Sequence, residues 1–350
     1  MEGLICYLKD KFSVTSDKRQ LNVNVRDVAT GLHQSYLRWI HTQGLNSSHN
    51  LFHKVRDKGW LIQIPALHKR RAPDDTCTRA LTTPGGNGGG GKTALPGYGR
   101  RKGCGGVVRA APAGLVVHSA FPLLPSHEKA ELAFQLGCHV ASVTHGHPSA
   151  VLPAGMLAAI ISRILSRDSL AGAIMNSVQF LRRESDNQET LLALQKACVL
   201  ADDLILHGGL STDADRQKLA MEHIHQIGEG WEGHEALAIA VYSCCASCND
   251  FGTALYYAVR HRGDSDSTGA IAGNIMGALL GEKSIPERWK SQIELTYVLR
   301  EVAEDLTLIA EKSRQENWEE KYPTPLGVVR STAPPNLHPG SRCHLYMPSH

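Results

Sequence analysis

The sequence predicts an all-α fold organised as one domain over roughly residues 15–322. Three observations carry the prediction. Apolar residues recur at helical spacing almost without a break from Lys129 to about Leu308. No segment shows the strict alternation or the β-branched runs of a sheet. Capping residues punctuate the pattern: Ser149, Thr212 and Asp250 stand near helix starts, and Gly208, Gly209 and Gly281 near stops.

In chain order, residues 1–14 form a short leading segment. It holds Glu2 and Asp10 among its lysines and no apolar stretch ending in a small-residue cleavage site, so no signal peptide is expected. Val28, Leu32, Tyr36, Leu37, Trp39 and Ile40 then recur at helical spacing. A break rich in Gly, Pro and Thr follows from Arg70 to Gly103, and residues 82–100 read as an exposed glycine-rich insertion. Candidate helices cover 128–142, 150–166, 170–183, 188–205, 213–226, 233–247, 251–260, 268–280 and 289–312. Residues 323–350 turn to Pro, Gly, Ser and His and read as a flexible tail.

Composition narrows the function classes. The chain has 350 residues, 37 Lys+Arg against 34 Asp+Glu, 42% apolar residues and 6% aromatics. Ala, Leu, Ile and Val must therefore fill the core, and a net charge of +3 is too small and too mixed for a nucleic-acid or membrane footprint. The longest apolar run, 150–161, holds Pro153 and Gly155 and falls short of the roughly 20 residues that span a bilayer. Nine scattered cysteines suit a reducing, cytoplasmic setting better than a disulfide framework. Cys244, Cys245 and Cys248 are expected as small buried helix residues, because a zinc site would need a second ligand pair nearby.

Gly86–Thr93 satisfies the letters of a P-loop, G-x-x-x-x-G-K-[ST]. The mechanism needs a strand before it and a helix after it. Neither flank supplies one, and Pro96 follows closely, so the motif is a low-complexity coincidence.

The informative stretch is His261-Arg-Gly-Asp264-Ser-Asp266-Ser267-Thr268. Asp and hydroxyl oxygens are hard donors that suit Mg²⁺, Mn²⁺ or Ca²⁺. The same residues also suit helix capping, and spacing alone leaves both readings open. Gly269, Gly273, Gly277 and Gly281 follow at intervals of four, which implies a buried helix with something packed close to its backbone. Glu235 is expected to serve a helix N-terminus rather than act as a catalytic acid.

At this point the sequence resembles the ADP-ribosylglycohydrolase family. GDSDSTGAIAGN looks like the family's carboxyl-terminal metal motif. In the same order come RAP-x-x-TC at Arg71–Cys77, GCGGVVRAAPAGL at Gly103–Leu115, THGHP at Thr144–Pro148, GEGWEGHEALAIAVY at Gly228–Tyr242 and IPERW at Ile285–Trp289. The resemblance covers about Gly31 to Pro323 apart from the insertion.

The resemblance implies an all-α fold and hydrolysis of the bond joining ADP-ribose to a protein side chain or related acceptor. It implies a pair of Mg²⁺ or Mn²⁺ ions, with Asp264, Asp266 and the hydroxyl of Ser267 or Thr268 as ligands. Gly103, Cys104, Gly105, Gly106 and Arg109 would border the ADP-ribose, with Thr144 and His145 near the same cleft. The partner would be an ADP-ribosylated protein, with no nucleic acid and no membrane, and the chain a monomer.

The amino-terminal half of the metal site departs from the family pattern (S/T)-D-D-(T/S)-Q. The aligned stretch is Ser16-Asp17-Lys18-Arg19-Gln20. Asp17 keeps a metal and catalytic role beside Asp266, while Lys18 and Arg19 stand where a carboxylate and a hydroxyl belong. At 4 Å two unit charges interact by about 4 kcal/mol at an effective dielectric near 20, so cations there oppose a dication. The family's usual opening helix with its Gly-Asp-Ala motif is expected to be absent, because only about fifteen residues precede Ser16. Three readings follow: a metal-dependent ADP-ribosyl hydrolase, a pseudoenzyme that binds ADP-ribose or an ADP-ribosylated protein without cleaving it, or a decayed member with the family fold and no function.

Overall fold

A computed structural model describes residues 1–14, 25–83, 101–207, 212–312 and 317–328. Asp17, Lys18 and Arg19, most of the glycine-rich insertion and the tail beyond residue 328 lie outside them. The architecture is all-α. The helices are α1 (Glu2–Val14), α2 (Val25–Thr42), α3 (Phe52–Val55), α4 (Asp75–Thr82), α5 (Ala111–Ala120), α6 (Ser126–Ser142), α7 (Pro148–Leu165), α8 (Leu170–Leu181) and α9 (Gln188–His207). They continue with α10 (Asp213–Ile227), α11 (Gly233–Ala246), α12 (Phe251–Val259), α13 (Ser265–Leu280), α14 (Glu287–Lys290), α15 (Thr296–Thr307), α16 (Ile309–Lys312) and α17 (Trp318–Lys321). Among the described residues no strand occurs; one isolated antiparallel bridge joins Gly103 to Glu232.

The core sits around α7, which is buried along nearly its whole length. It is also the one described helix whose length and composition would suit a membrane span, longer than the apolar run seen in the sequence. Burial on all sides instead marks a central core helix. Small residues set how closely its neighbours approach. A Cβ on Gly137 of α6 would lie 2.5 Å from the Ala154 carbonyl oxygen, and one on Gly155 of α7 would lie 2.5 Å from Cys138 Sγ. Helices α6 and α7 therefore touch almost backbone to backbone. Leu237, Ile239 and Val241 of α11 and Ile271, Ile275 and Met276 of α13 complete this core. A second cluster gathers Leu4, Ile5, Tyr7 and Leu8 of α1 with Val302 and Leu306 of α15 and Tyr322.

Four expectations need correction. A helix does precede Ser16: α1 spans Glu2–Val14 and buries Leu4, Ile5, Tyr7 and Leu8, although it carries no Gly-Asp-Ala motif. The single helix expected over 289–312 is broken into α14, α15 and α16: Leu295, with a left-handed φ of 60° that a right-handed helix cannot continue through, parts α14 from α15, and Leu308, at φ −99° and ψ 15°, parts α15 from α16. The glycine stripe of α13 is close-packed only at its start: a Cβ on Gly269 would lie 2.6 Å from Val259, while one on Gly277 would meet nothing within 4 Å. Helix α13 is buried on one face rather than all round. Of the three cysteines, Cys244 is buried, but Cys248 is exposed beyond the end of α11 with φ 51°.

Candidate active site

The site is built where three backbone segments meet. The turn 228–233, Gly-Glu-Gly-Trp-Glu-Gly, is flanked by 102–104 on one side and 263–264 on the other. Cys104 N–H donates to Trp231 O at 3.1 Å and Gly233 N–H to Lys102 O at 2.7 Å, while Asp264 N–H donates to Glu229 O at 2.8 Å. Gly230 takes φ 82°, and a Cβ on Gly263 would sit 1.8 Å from Glu229 O, so neither accepts a side chain without strain or displacement. Glu235 Oε2 accepts from the N–H groups of Glu229 (3.3 Å) and Gly230 (3.1 Å). Glu235 therefore ties the turn down rather than facing reactants.

This frame delivers Asp264 at the N-cap of α13. Its side chain makes no capping hydrogen bond, although it is only 8% exposed. Its Oδ2 instead accepts from Cys104 Sγ at 2.8 Å, and the same thiol lies 3.4 Å from Ser267 Oγ. Ser267 and exposed Asp266 stand within hydrogen-bond reach of the Asp264 carboxylate. Burial, followed by contact with Asp266, raises the pKa of Asp264. Burial, with the neighbouring Asp264, pushes the Cys104 thiol up to about 12, so it stays a donor at neutral pH. The structure thus answers the open question of capping: no side chain of this acidic turn accepts a helix N–H.

The donor set fits a hard divalent cation. Two carboxylates in contact must share a proton or a cation, and Asp264, Asp266 and Ser267 present only oxygen. The Thr268 hydroxyl is turned away: it donates within 2.6 Å of Ala258 O, lies 3.1 Å from Asp264 O, and is fully buried. Ser267 is the hydroxyl on the carboxylate side.

The opposite wall comes from α4, the turn 103–106 and the end of α6. Arg109 Nη1 donates to Gly105 O at 2.8 Å and to Cys77 Sγ at 3.0 Å; Nη2 donates to Val140 O at 3.2 Å and to Thr144 Oγ1. Its guanidinium also lies over the Tyr36 ring at 4.8 Å. Arg109 therefore braces the wall from within. Thr144 and His145 are both buried, and Thr144 Oγ1 lies 2.8 Å from His145 Nδ1. His145 Nε2 is buried with no partner. Burial and the nearby Arg109 push its pKa down to about 4, so the ring is neutral at pH 7.

Asp74 and Cys77 join this wall and were not singled out by the sequence reading. A Cβ on Gly105 would meet Asp74 Cγ at 3.4 Å and Cys77 Sγ at 3.3 Å. Their signal was available in RAP-x-x-TC, whose two open positions are Asp74 and Asp75. Asp75 points elsewhere, pairing with Arg79 at 2.9 Å and Arg101 at 3.1 Å. The structure thus brings Gly103–Gly106, Arg109, Thr144, His145, Asp264, Asp266 and Ser267 to one place and turns the Thr268 hydroxyl away from it. Asp17 lies outside the described residues.

An all-α body thus places a carboxylate pair at the mouth of α13 with a glycine-rich turn beside it. Residues 13–317 match the model of the ADP-ribosylglycohydrolase family, and the chain belongs to that family. An uncharacterized protein of Archaeoglobus fulgidus is 29% identical over 203 residues, 58% of this chain and 57% of that protein. ADP-ribosylhydrolase ARH1 of Dictyostelium discoideum is 30% identical over 99 residues, 27% of this chain and 25% of that protein. The matched stretches thus cover about half of the first relative and a quarter of the second.

Proposed function

We propose that the protein is a Mg²⁺- or Mn²⁺-dependent hydrolase that removes ADP-ribose from modified proteins or related conjugates. One observation carries the reading: the buried Asp264 carboxylate caps nothing and faces Asp266 and Ser267. Family membership supports it. Asp264, Asp266 and Ser267 would hold the divalent cation, which would supply charge stabilisation and lower the pKa of water. In the reaction, the bond from the ribose anomeric carbon to the acceptor nitrogen or oxygen breaks. Water gives its hydroxyl to that carbon and a proton to the leaving group. Asp266, the exposed member of the pair, takes this proton from the water as the hydroxyl adds and passes it to the leaving nitrogen or oxygen, a role the family resemblance extends to Asp17. The Gly103–Gly106 turn lets the pyrophosphate approach the backbone, and Arg109, Thr144 and His145 hold the wall against which the ligand rests.

Lys18 and Arg19 favour a second reading, ADP-ribose binding without cleavage. Calorimetry with Mg²⁺ or Mn²⁺ and ADP-ribose, alongside an assay on ADP-ribosyl-arginine, separates the two. Hydrolase function predicts metal-dependent turnover, with the Asp264→Asn, Asp266→Asn double variant losing more cation affinity than the roughly 10–100-fold that removal of an outer partner costs. Metal-independent ADP-ribose binding without turnover supports the second reading and sinks the first.

A further inference from the structure

Among the described residues, two groups of three side chains could hold a metal ion. In one, Glu189, Glu232 and His234, a cation is already supplied: Lys102 Nζ lies 2.6 Å from Glu189 and 3.9 Å from Glu232. The other is Asp74, Cys77 and His145, whose ligand atoms lie within 4.8 Å of one another. It contains a buried thiol and a fully buried imidazole whose Nε2 has no partner. That nitrogen is aimed into the space beside Gly103, where a Cβ would lie 3.5 Å from it and 3.9 Å from Asp74 Oδ2. We propose that Asp74, Cys77 and His145 bind zinc at a site separate from the hard-cation site at Asp264 and Asp266.

The donor chemistry selects the metal. Thiolate, imidazole and carboxylate together suit Zn²⁺ and do not suit Mg²⁺ or Mn²⁺. Bonds of about 2.0–2.3 Å in a tetrahedron set ligand atoms about 3.3–3.8 Å apart, so closure from the observed spacing asks for roughly 1 Å of side-chain movement. Three protein ligands leave the fourth position to water or an incoming group.

Binding is electrically balanced. The Cys77 S–H bond breaks, a Zn–S bond forms and one proton leaves to solvent. The dication then meets two anionic ligands, the thiolate and the Asp74 carboxylate. Arg109 Nη1 at 3.0 Å from the sulfur remains a donor to the thiolate. Thr144 sets the imidazole. Arg109 Nη2 donates to its Oγ1, which lies 3.7 Å from Cys77 Sγ and 2.8 Å from His145 Nδ1. Once Cys77 is a thiolate it cannot donate, so the Thr144 hydroxyl gives its proton to the sulfur and accepts Nδ1–H. The lone pair of Nε2 is then free for the metal, an outer hydrogen bond fixing the tautomer of a ligand. Zinc bound here occupies the space beside Gly103 and competes with any ligand of the glycine turn.

Cobalt(II) and zinc titrations of the full chain, stripped of metal and kept in excess Mg²⁺, test the site without any assay of hydrolysis. The expected result is one tetrahedral cobalt signal with a thiolate-to-cobalt charge-transfer band, displaced by one equivalent of zinc with release of one proton. Cys77→Ser should abolish the band and weaken zinc binding at least about 100-fold, and Asp74→Asn should weaken it with the band retained. Cys248→Ser, at an exposed thiol, controls for adventitious binding, and Asp264→Asn with Asp266→Asn should leave the band intact. Absence of the band from the parent chain, or its equal survival in Cys77→Ser, overturns the proposal. Its loss in the Asp264, Asp266 variant does so too. If Cys77→Ser fails to fold, the parent band together with weakened zinc binding in Asp74→Asn decides the matter, and zinc binding unchanged in Asp74→Asn overturns the proposal. Failure of this site leaves the hydrolase reading standing, since that reading concerns other ligands.

Discussion

The two walls of the site are held by different means. The Asp264 wall hangs on the backbone: three main-chain hydrogen bonds of 2.7–3.1 Å lock residues 102–104, 229–233 and 264 together. The His145 wall hangs on side chains, with Arg109 spanning Gly105, Cys77, Val140 and Thr144. Backbone pairing leaves the first wall no slack, which suits a small cation that demands strict geometry. The second wall keeps unused valences, Arg109 Nε and His145 Nε2, and a hydroxyl that can reverse its hydrogen bonds. Hard chemistry thus sits on the rigid half of the site and adaptable chemistry on the other.

The sharpest way to break this contrast is Gly263→Ala. The new Cβ would fall 1.8 Å from Glu229 O, so the Asp264 N–H bond to that oxygen must part and the turn must move. A loss of about 3 kcal/mol in stability is expected by chemical denaturation, together with lost Mg²⁺ affinity. A variant as stable as the parent would mean that the backbone wall is slack after all.

Thr144→Val probes the other wall with little change of shape. It leaves His145 Nδ1 without its partner and removes one acceptor from Arg109, at an expected cost of about 2 kcal/mol. An unchanged melting temperature would show that packing, not hydrogen bonding, holds this side.

The smallest effect is on pH. His145 titrates near 4 in the folded chain because it is buried beside Arg109, against 6.5 as its ordinary value. On lowering the pH, the unfolded chain therefore takes up its proton first. The contribution to stability is complete above 6.5 and is lost as pH falls from there towards 4, by about 1.4 kcal/mol per unit. His33, held near 3 by burial, adds a slope of the same sign, so the comparison must be made against His145→Gln. Denaturant midpoints at pH 7 and 5.5 should converge in the variant relative to the parent, and parallel slopes would contradict the assignment.

Much of the fold was legible in the sequence because periodicity is a local property. The starts and stops of α6 to α12 follow largely from apolar spacing; of the expected caps Thr212 and Asp250 do accept helix N–H bonds, whereas Ser149 lies inside α7 and His147 caps that helix. The break at Leu295 was not legible, since an ordinary leucine in a left-handed conformation is imposed by its surroundings. The acidic turn was legible as chemistry: Asp264, Asp266 and Ser267 stand three residues apart at most. Which hydroxyl faces the carboxylates was not legible, because Ser267 and Thr268 differ only by the 100° step of a helix. Asp74 and Cys77 went unnoticed for the same reason. Their importance lies in what Gly105 and His145 bring beside them, and no spacing along the chain encodes that.

By itself, then, the sequence determined the all-α class, the family and the chemical kind of the acidic turn, because each is written in residue type and short-range spacing. Only the tertiary structure decided that Asp264 caps nothing, that Arg109 faces inward, and that a thiol, an imidazole and a carboxylate converge from residues 74–77 and 145. The physical reason is distance. Side chains separated by tens of residues meet only when helices pack, and which of their donors remain unpaired is settled by every neighbour at once.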